Sequence, residues 1–207
     1  MTSDQSSPQT QETEESASRR VPIANPTLGD REKERVEAVL DSGHLADGDE
    51  VRAFESEFAD YCGTSHGVAV ANGTAALHAA LEALGIGDGD TVVTSPMSFI
   101  ATANAVRFAG AEPIFADIDP HTYNVDPDSV EAVIREHDGD VDAIMPVHLY
   151  GLPTDMAPLR AIADAHDVPV ITDAAQAHGA TYRGERVGSL GDVACFSFYP
   201  TKNMTTG

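Results

Sequence analysis

Residues 91–116 read TVVTSPMSFIATANAVRFAGAEPIFA. Thr91-Val92-Val93-Thr94 is a short run of β-formers with no polar alternation. Residues 98–109 read as a helix that stops at Gly110, and Pro113-Ile114-Phe115-Ala116 is a second apolar run. A strand with no polar face has no side to give to water. Two such strands joined through an amphipathic helix lie parallel, in a sheet covered on both faces.

The same alternation extends in both directions. Upstream, residues 67–71 read as a buried strand, followed by a helix over 74–84 with Leu77, Ala80, Leu81 and Leu84 on one face and Gly85 as its stop. Two helices precede that strand. Asp30 caps the first, which runs to Asp41 with Val36, Val39 and Leu40 inward; Gly48 and Gly63 bound the second, whose stripe is Val51, Phe54, Phe58 and Tyr61.

Downstream, Asp128-Ser129-Val130-Glu131 has the form of a capping box for a helix carrying Val130, Val133, Ile134 and His137. Residues 143–147 read as the fourth strand. Asp155 caps a helix with Pro158 in its first turn and Leu159, Ile162, Ala163 and His166 inward. Residues 168–172 and 193–198 are the fifth and sixth strands. Residues 1–20, almost all polar, cannot offset their ordering entropy and are expected to be disordered, leaving residues 21–207 as one α/β unit.

Composition narrows the function. The formal charge is -22, from 34 acidic and 12 basic residues, and the acid is spread along the chain. Such a surface repels nucleic acid and anionic membranes. With lysine reduced to Lys33 and Lys202, it suggests adaptation to a high-salt cytoplasm where counter-ions screen self-repulsion. Folding stability is then expected to rise from low to molar salt in chemical denaturation, and a flat response counts against that reading. Cys62 and Cys195 have neither metal-ligand nor redox-motif spacing and are expected to be core thiols. No apolar run approaches the ~20 residues of a membrane helix, and no signal pattern opens the chain, so a cytoplasmic location is the expectation.

In a parallel sheet, ligands bind beyond the carboxyl ends of the strands. After the first strand, Asn72-Gly73-Thr74 offers free N–H groups and a helix dipole to an anion, though an ordinary strand-to-helix turn takes the same residues. After the second, Phe99 either stacks on a planar ring or packs under the next helix. His148, after the fourth, reads more readily as a satisfied buried imidazole than as a site residue. After the fifth come Asp173, Gln176 and His178; a carboxylate emerging from Pro169-Val170-Ile171 should have a cationic partner, and no third ligand makes a metal site. After the sixth come Ser197 and Lys202. One ligand accounts for this set, pyridoxal 5′-phosphate: Gly73, Thr74 and Ser197 for the phosphate, Asp173 for the pyridinium nitrogen, and Lys202 for the aldehyde and for proton transfer.

The blocks NGTAALHAAL (72–81), SPMSFIATANAV (95–106), PVHLYG (146–151), TDAAQAHGA (172–180) and FSFYPTKNMTTG (196–207) resemble the DegT/DnrJ/EryC1/StrS aminotransferases, as does LDSGHLADGDEVRAFESEFADYCG (40–63). The resemblance implies the large domain of a fold-type-I pyridoxal-phosphate transferase, a homodimer in its full-length form, acting on nucleotide-linked keto-sugars with glutamate or glutamine as amino donor. It also implies Lys202 as the Schiff-base lysine, Asp173 on the ring nitrogen, Gln176 against the phenolic oxygen and Phe99 on the ring face. Relatives that deoxygenate carry histidine in place of this lysine, so Lys202 favours transamination.

Family members run to about twice this ordered span. The resemblance therefore implies an amino-terminal portion, incomplete at its carboxy end and inactive alone, with a one-strand gap between residues 67–71 and 193–198. Sequence downstream of Gly207 that continued with Glu-Gly-Gly would meet that expectation. An aminocyclitol aminotransferase acting on a keto-inositol and a non-catalytic homologue are the competing readings. Retention of Lys202, Asp173 and Gln176 together speaks against the second.

Overall fold

The computed structural model describes Pro22 and residues 25–206. The polar tail at residues 1–20 lies outside the described residues. Helices α1 (Asp30–Ser42) and α2 (Asp49–Cys62) lead into α3 (Gly73–Ala83), β1 (Thr91–Thr94), α4 (Ala101–Ala109) and β2 (Glu112–Phe115). Then come α5 (Pro127–Glu136), β3 (Ala143–Met145), α6 (Met156–His166), β4 (Ile171–Asp173), β5 (Thr181–Tyr182), β6 (Glu185–Arg186) and β7 (Val193–Cys195).

β1 lies between β2 and β3, parallel to both, and β4 pairs parallel with β7. Parallel bridges at Ile144–Val170 and Val147–Asp173 join the two groups, giving the order β2-β1-β3-β4-β7. The lack of polar alternation has its expected consequence in β1. Successive side chains point to opposite faces, and Val92 and Val93 are both fully buried. Val92 packs in a cluster with Leu77, Leu81, Ala105 and Val106 of α3 and α4. Val93 belongs to a second cluster with Val130, Ile134, Met156 and Leu159 of α5 and α6. The sheet is thus covered on both faces, the α/β arrangement read from residues 91–116.

The largest departure is at residues 67–71, expected as a buried strand. They form no strand, and Val68 and Val70 are exposed. A strand needs a ladder partner, and among the described residues none lies beside this segment; the Ala69 N–H goes instead to the Glu55 carboxylate, at 2.8 Å. β7 likewise ends at Cys195, short of the expected Phe198. α1 has the expected length but turns no buried residue inward: Val36 and Leu40 are exposed and Val39 is half-buried.

Other corrections concern helix starts. α1 begins at Asp30 with Gly29 as its cap residue, the Gly29 N–H donating to Glu32 at 2.6 Å. α5 is capped two residues before the expected box, because Asp126 caps it through the Asp128 N–H at 3.0 Å and Pro127 suits the first helical position. α4 starts three residues late, residues 98–100 being spent on the turn above β1. Asp155 occupies the cap position of α6 without capping, since its carboxylate accepts from the Tyr182 hydroxyl. The β5–β6 hairpin was not read from sequence; its two-residue turn puts Arg183 and Gly184 at φ 52° and 90°, the doubly left-handed turn that fits strand twist. Among the described residues no helix is long and apolar enough to cross a membrane.

Candidate active site

The cradle at the start of α3 is built locally. Asn72 caps the helix, its Oδ1 accepting from the Ala75 N–H at 2.9 Å. That leaves the N–H groups of Gly73 and Thr74 as the first of the helix's unspent donors. A β-carbon on Gly73 would stand 2.9 Å from the Ser197 Cβ and 3.4 Å from its Oγ. The turn after residues 67–71 and the turn after β7 therefore touch, and only a residue without a side chain fits between them. We expect Gly73→Ala to cost about 1–3 kcal/mol through this overlap, and Ser197→Gly in the same chain to recover most of it, measured by urea denaturation. Full stability in the single variant would mean that the two turns are not held together.

Asp173, the last residue of β4, is 5% exposed. Its Oδ2 accepts from the Thr102 hydroxyl at 2.7 Å and its Oδ1 from the Ala175 N–H at 3.1 Å. Burial pushes the carboxyl above its usual range, opposed by these two bonds and by the charge of Lys202. The expected cationic partner is thus not an ion pair: a hydroxyl and an amide do most of the compensation, and the ammonium acts from further off. Thr102 was missed. Its signal was positional, because a hydroxyl in the first turn of α4 beside β1 is close to the end of the adjacent strands. The Ser98 hydroxyl lies 2.6 Å from that of Thr102 and extends the chain outward.

Lys202 is half-buried in the turn after β7, where its N–H donates to the Tyr199 carbonyl at 2.8 Å. Its charge is felt at Asp173 and at His178, which brings amine and acid to one end of the sheet. A cavity of about 500 Å³ opens on the lysine, walled by residues 25–28, Glu32 and the rest of the 200–205 turn. Asp173, Gly73 and Phe99 do not line it. Lys202 thus stands at the border between this cavity and the strand ends. Phe99 is 67% exposed, so it does not pack under α4 and its face is free. Gln176 is half-buried, its Oε1 accepting from the Tyr150 N–H at 2.6 Å and holding Tyr150 in a left-handed conformation at φ 52°.

Two histidines frame the site differently. His178 is largely buried among Phe58, Phe196 and Phe198, with ring centroids 6.4, 5.2 and 5.0 Å away. His148 is completely buried; its Nδ1 accepts from the Thr154 N–H at 3.1 Å, and its Nε2 has no partner among the described residues. Burial lowers its pKa to about 4, so it is a neutral core group and not a proton carrier at neutral pH.

The folded pKa of His148 lies below the ordinary value of 6.5, so its contribution to stability is complete above about pH 6.5 and is lost as pH falls towards 4, by about 3 kcal/mol in all. His178 shifts in the same direction. Asp173 runs oppositely, because acid relieves its buried charge. The expected result is a falling urea midpoint between pH 6.5 and 4, less steep in His148→Leu; equal slopes would remove His148 as the source. Both cysteines are buried free thiols, and burial pushes Cys195 up to about 12.

The family model of the DegT/DnrJ/EryC1/StrS aminotransferase family matches residues 26–207. GDP-perosamine synthase of Caulobacter vibrioides is 47% identical over 189 residues, covering 91% of this chain and 50% of the relative. An aminotransferase structure from Psychrobacter cryohalolentis superposes with a TM-score of 0.83 at 44% identity, covering 88% of this chain and 46% of the other. The PLP form of Spr1654 from Streptococcus pneumoniae gives 0.83 at 30% identity, with 89% and 50% covered. The chain spans about half the length of the curated relatives it matches.

Proposed function

Because the chain belongs to the DegT/DnrJ/EryC1/StrS aminotransferase family, we propose that it carries the cofactor-binding half of a pyridoxal-phosphate-dependent aminotransferase, acting on a nucleotide-linked keto-sugar with glutamate or glutamine as donor. The observation that carries this reading is convergence. Turns after residues 67–71, β4 and β7 put a lysine charge where it acts on a buried carboxylate and press Gly73 against Ser197. A helix amino terminus with unspent N–H donors, held by this close approach beside a serine hydroxyl, suits a phosphate.

When bound, pyridoxal phosphate supplies an aldehyde conjugated to an electron-withdrawing ring. Gly73, Thr74 and Ser197 would hold its phosphate. Asp173 would hold a proton on the ring nitrogen, with Thr102 and the Ala175 N–H keeping the carboxylate ionised and aimed. Phe99 would cover one ring face and Gln176 would orient the ring oxygen. Lys202 would hold the aldehyde carbon and then move the proton at the amine-bearing carbon of the donor and, in reverse, of the acceptor.

The substrate class draws support from relatives such as the Caulobacter vibrioides GDP-perosamine synthase. Pairing with a second copy and a high-salt cytoplasm belong to the same proposal. The exposed apolar Val36, Leu40 and Leu45 and the charge of -22 support those parts.

The chain offers a clean test, since Lys33 and Lys202 are its only lysines. After incubation with pyridoxal phosphate and borohydride reduction, peptide mapping should find the label on Lys202. Label on Lys33 alone, or none, would overturn the assignment.

A further inference from the structure

Asn203, the residue beside the lysine, pins the Lys202 turn to the loop after β4. Its Nδ2 donates to the His178 carbonyl at 2.9 Å, and its Oδ1 lies 2.7 Å from the His178 Nδ1. The first bond fixes the amide, because the flipped amide would set oxygen against oxygen. The fixed Oδ1 then requires a proton on Nδ1, so the amide also selects the imidazole tautomer. The imidazole in turn is gripped by the rings of Phe58 from α2 and of Phe196 and Phe198 beyond β7. A continuous set of contacts thus runs from α2 through His178 and Asn203 to the backbone of Lys202.

We propose that Asn203 is a positioning residue, which with His178 as its anchor holds the lysine turn against the 173–179 loop and so sets where the Lys202 amine stands relative to Asp173. Asparagine suits this task because it donates and accepts from one planar group. Aspartate can only accept, and alanine does neither. The proposal rests on the aminotransferase reading only for what Lys202 does; the latch itself is a property of the chain.

The test uses three readouts on the chain and on Asn203→Ala, Asn203→Asp and His178→Phe, the last keeping an aromatic ring in the cluster. Hydrogen exchange of the amides over residues 199–205 should speed by about tenfold in Asn203→Ala, the order expected for losing two hydrogen bonds, with β1 unchanged. Asn203→Asp should fall between, and Asn203→Ala/His178→Phe should add little to either single change. Nitrogen-15 spectra of the imidazole should show a protonated Nδ1 in the wild type and a mixed tautomer in Asn203→Ala. Borohydride-trapped pyridoxal phosphate on Lys202 should drop by about tenfold in Asn203→Ala, while reaction of the exposed Lys33 stays constant.

Unchanged exchange in Asn203→Ala, or a wild-type Nε2 that bears the proton, overturns the latch. Faster exchange with undiminished trapping overturns its positioning role. Absence of trapping in the wild type defeats the pyridoxal reading instead, and exchange and tautomer then decide the latch by themselves.

Discussion

Lys202→Ala should abolish covalent capture of pyridoxal phosphate while leaving the fold intact. The side chain is half-buried in a turn and belongs to neither hydrophobic cluster, so its loss opens no core cavity. It makes no ion pair within 4 Å among the described residues, and the buried Asp173 carboxylate, on which its charge acts from further off, keeps its bonds from Thr102 and Ala175. Thermal midpoints should therefore agree closely, as for a surface change. Chemistry should not survive, since the variant lacks the one amine near the buried carboxylate. Amino transfer in a protein containing this segment should fall by roughly 10⁴ or more, combining lost proton transfer with lost covalent attachment. Lys202→Arg separates charge from nucleophilicity: it keeps the cation that Asp173 feels but cannot be trapped by borohydride. Residual trapping in either variant, mapped to this turn, would sink the assignment.

How much of this was legible depended on whether the signal was local. Val92 and Val93 declared a two-faced strand because nothing polar interrupts them, and two covered faces need helices on both sides. Asp173 and Lys202 could be picked out because each residue type is costly or rare in its setting. Residues 67–71 carry the same apolar signature as β1, yet remain exposed, because strand formation also needs a neighbour that periodicity cannot supply. Val36 and Leu40 misled for a related reason: helical spacing shows that a face exists, not what covers it. Thr102 and Asn203 were invisible for another reason. Each matters only through a partner distant in sequence, 71 residues away for Thr102 and 25 for Asn203. The Arg183-Gly184 hairpin was too short for any period to register.

Asp173→Asn should uncouple stability from activity, in opposite directions. Asparagine matches the carboxylate in size and still accepts from the Thr102 hydroxyl or the Ala175 N–H, so the packing below β4 survives. What disappears is a negative charge held in a poorly solvated place. Burial raises the Asp173 pKa, so the folded chain carries a cost whenever that group is ionised. The sign follows directly: a carboxyl with a raised folded pKa weakens the fold above that pKa and ceases to do so as acid protonates it. The variant should thus be as stable as the wild type or more so at pH 7, and the difference should shrink towards acid. Activity should move the other way. A neutral amide cannot hold a proton on the ring nitrogen, so proton transfer at the amine-bearing carbon should slow by roughly 10²–10⁴ while cofactor capture on Lys202 persists. Urea midpoints at two pH values and hydrogen–deuterium exchange at the donor's α-carbon measure the two halves. A variant that is much less stable at pH 7 would mean that the carboxylate serves the fold. An undiminished exchange rate would remove Asp173 from the chemistry.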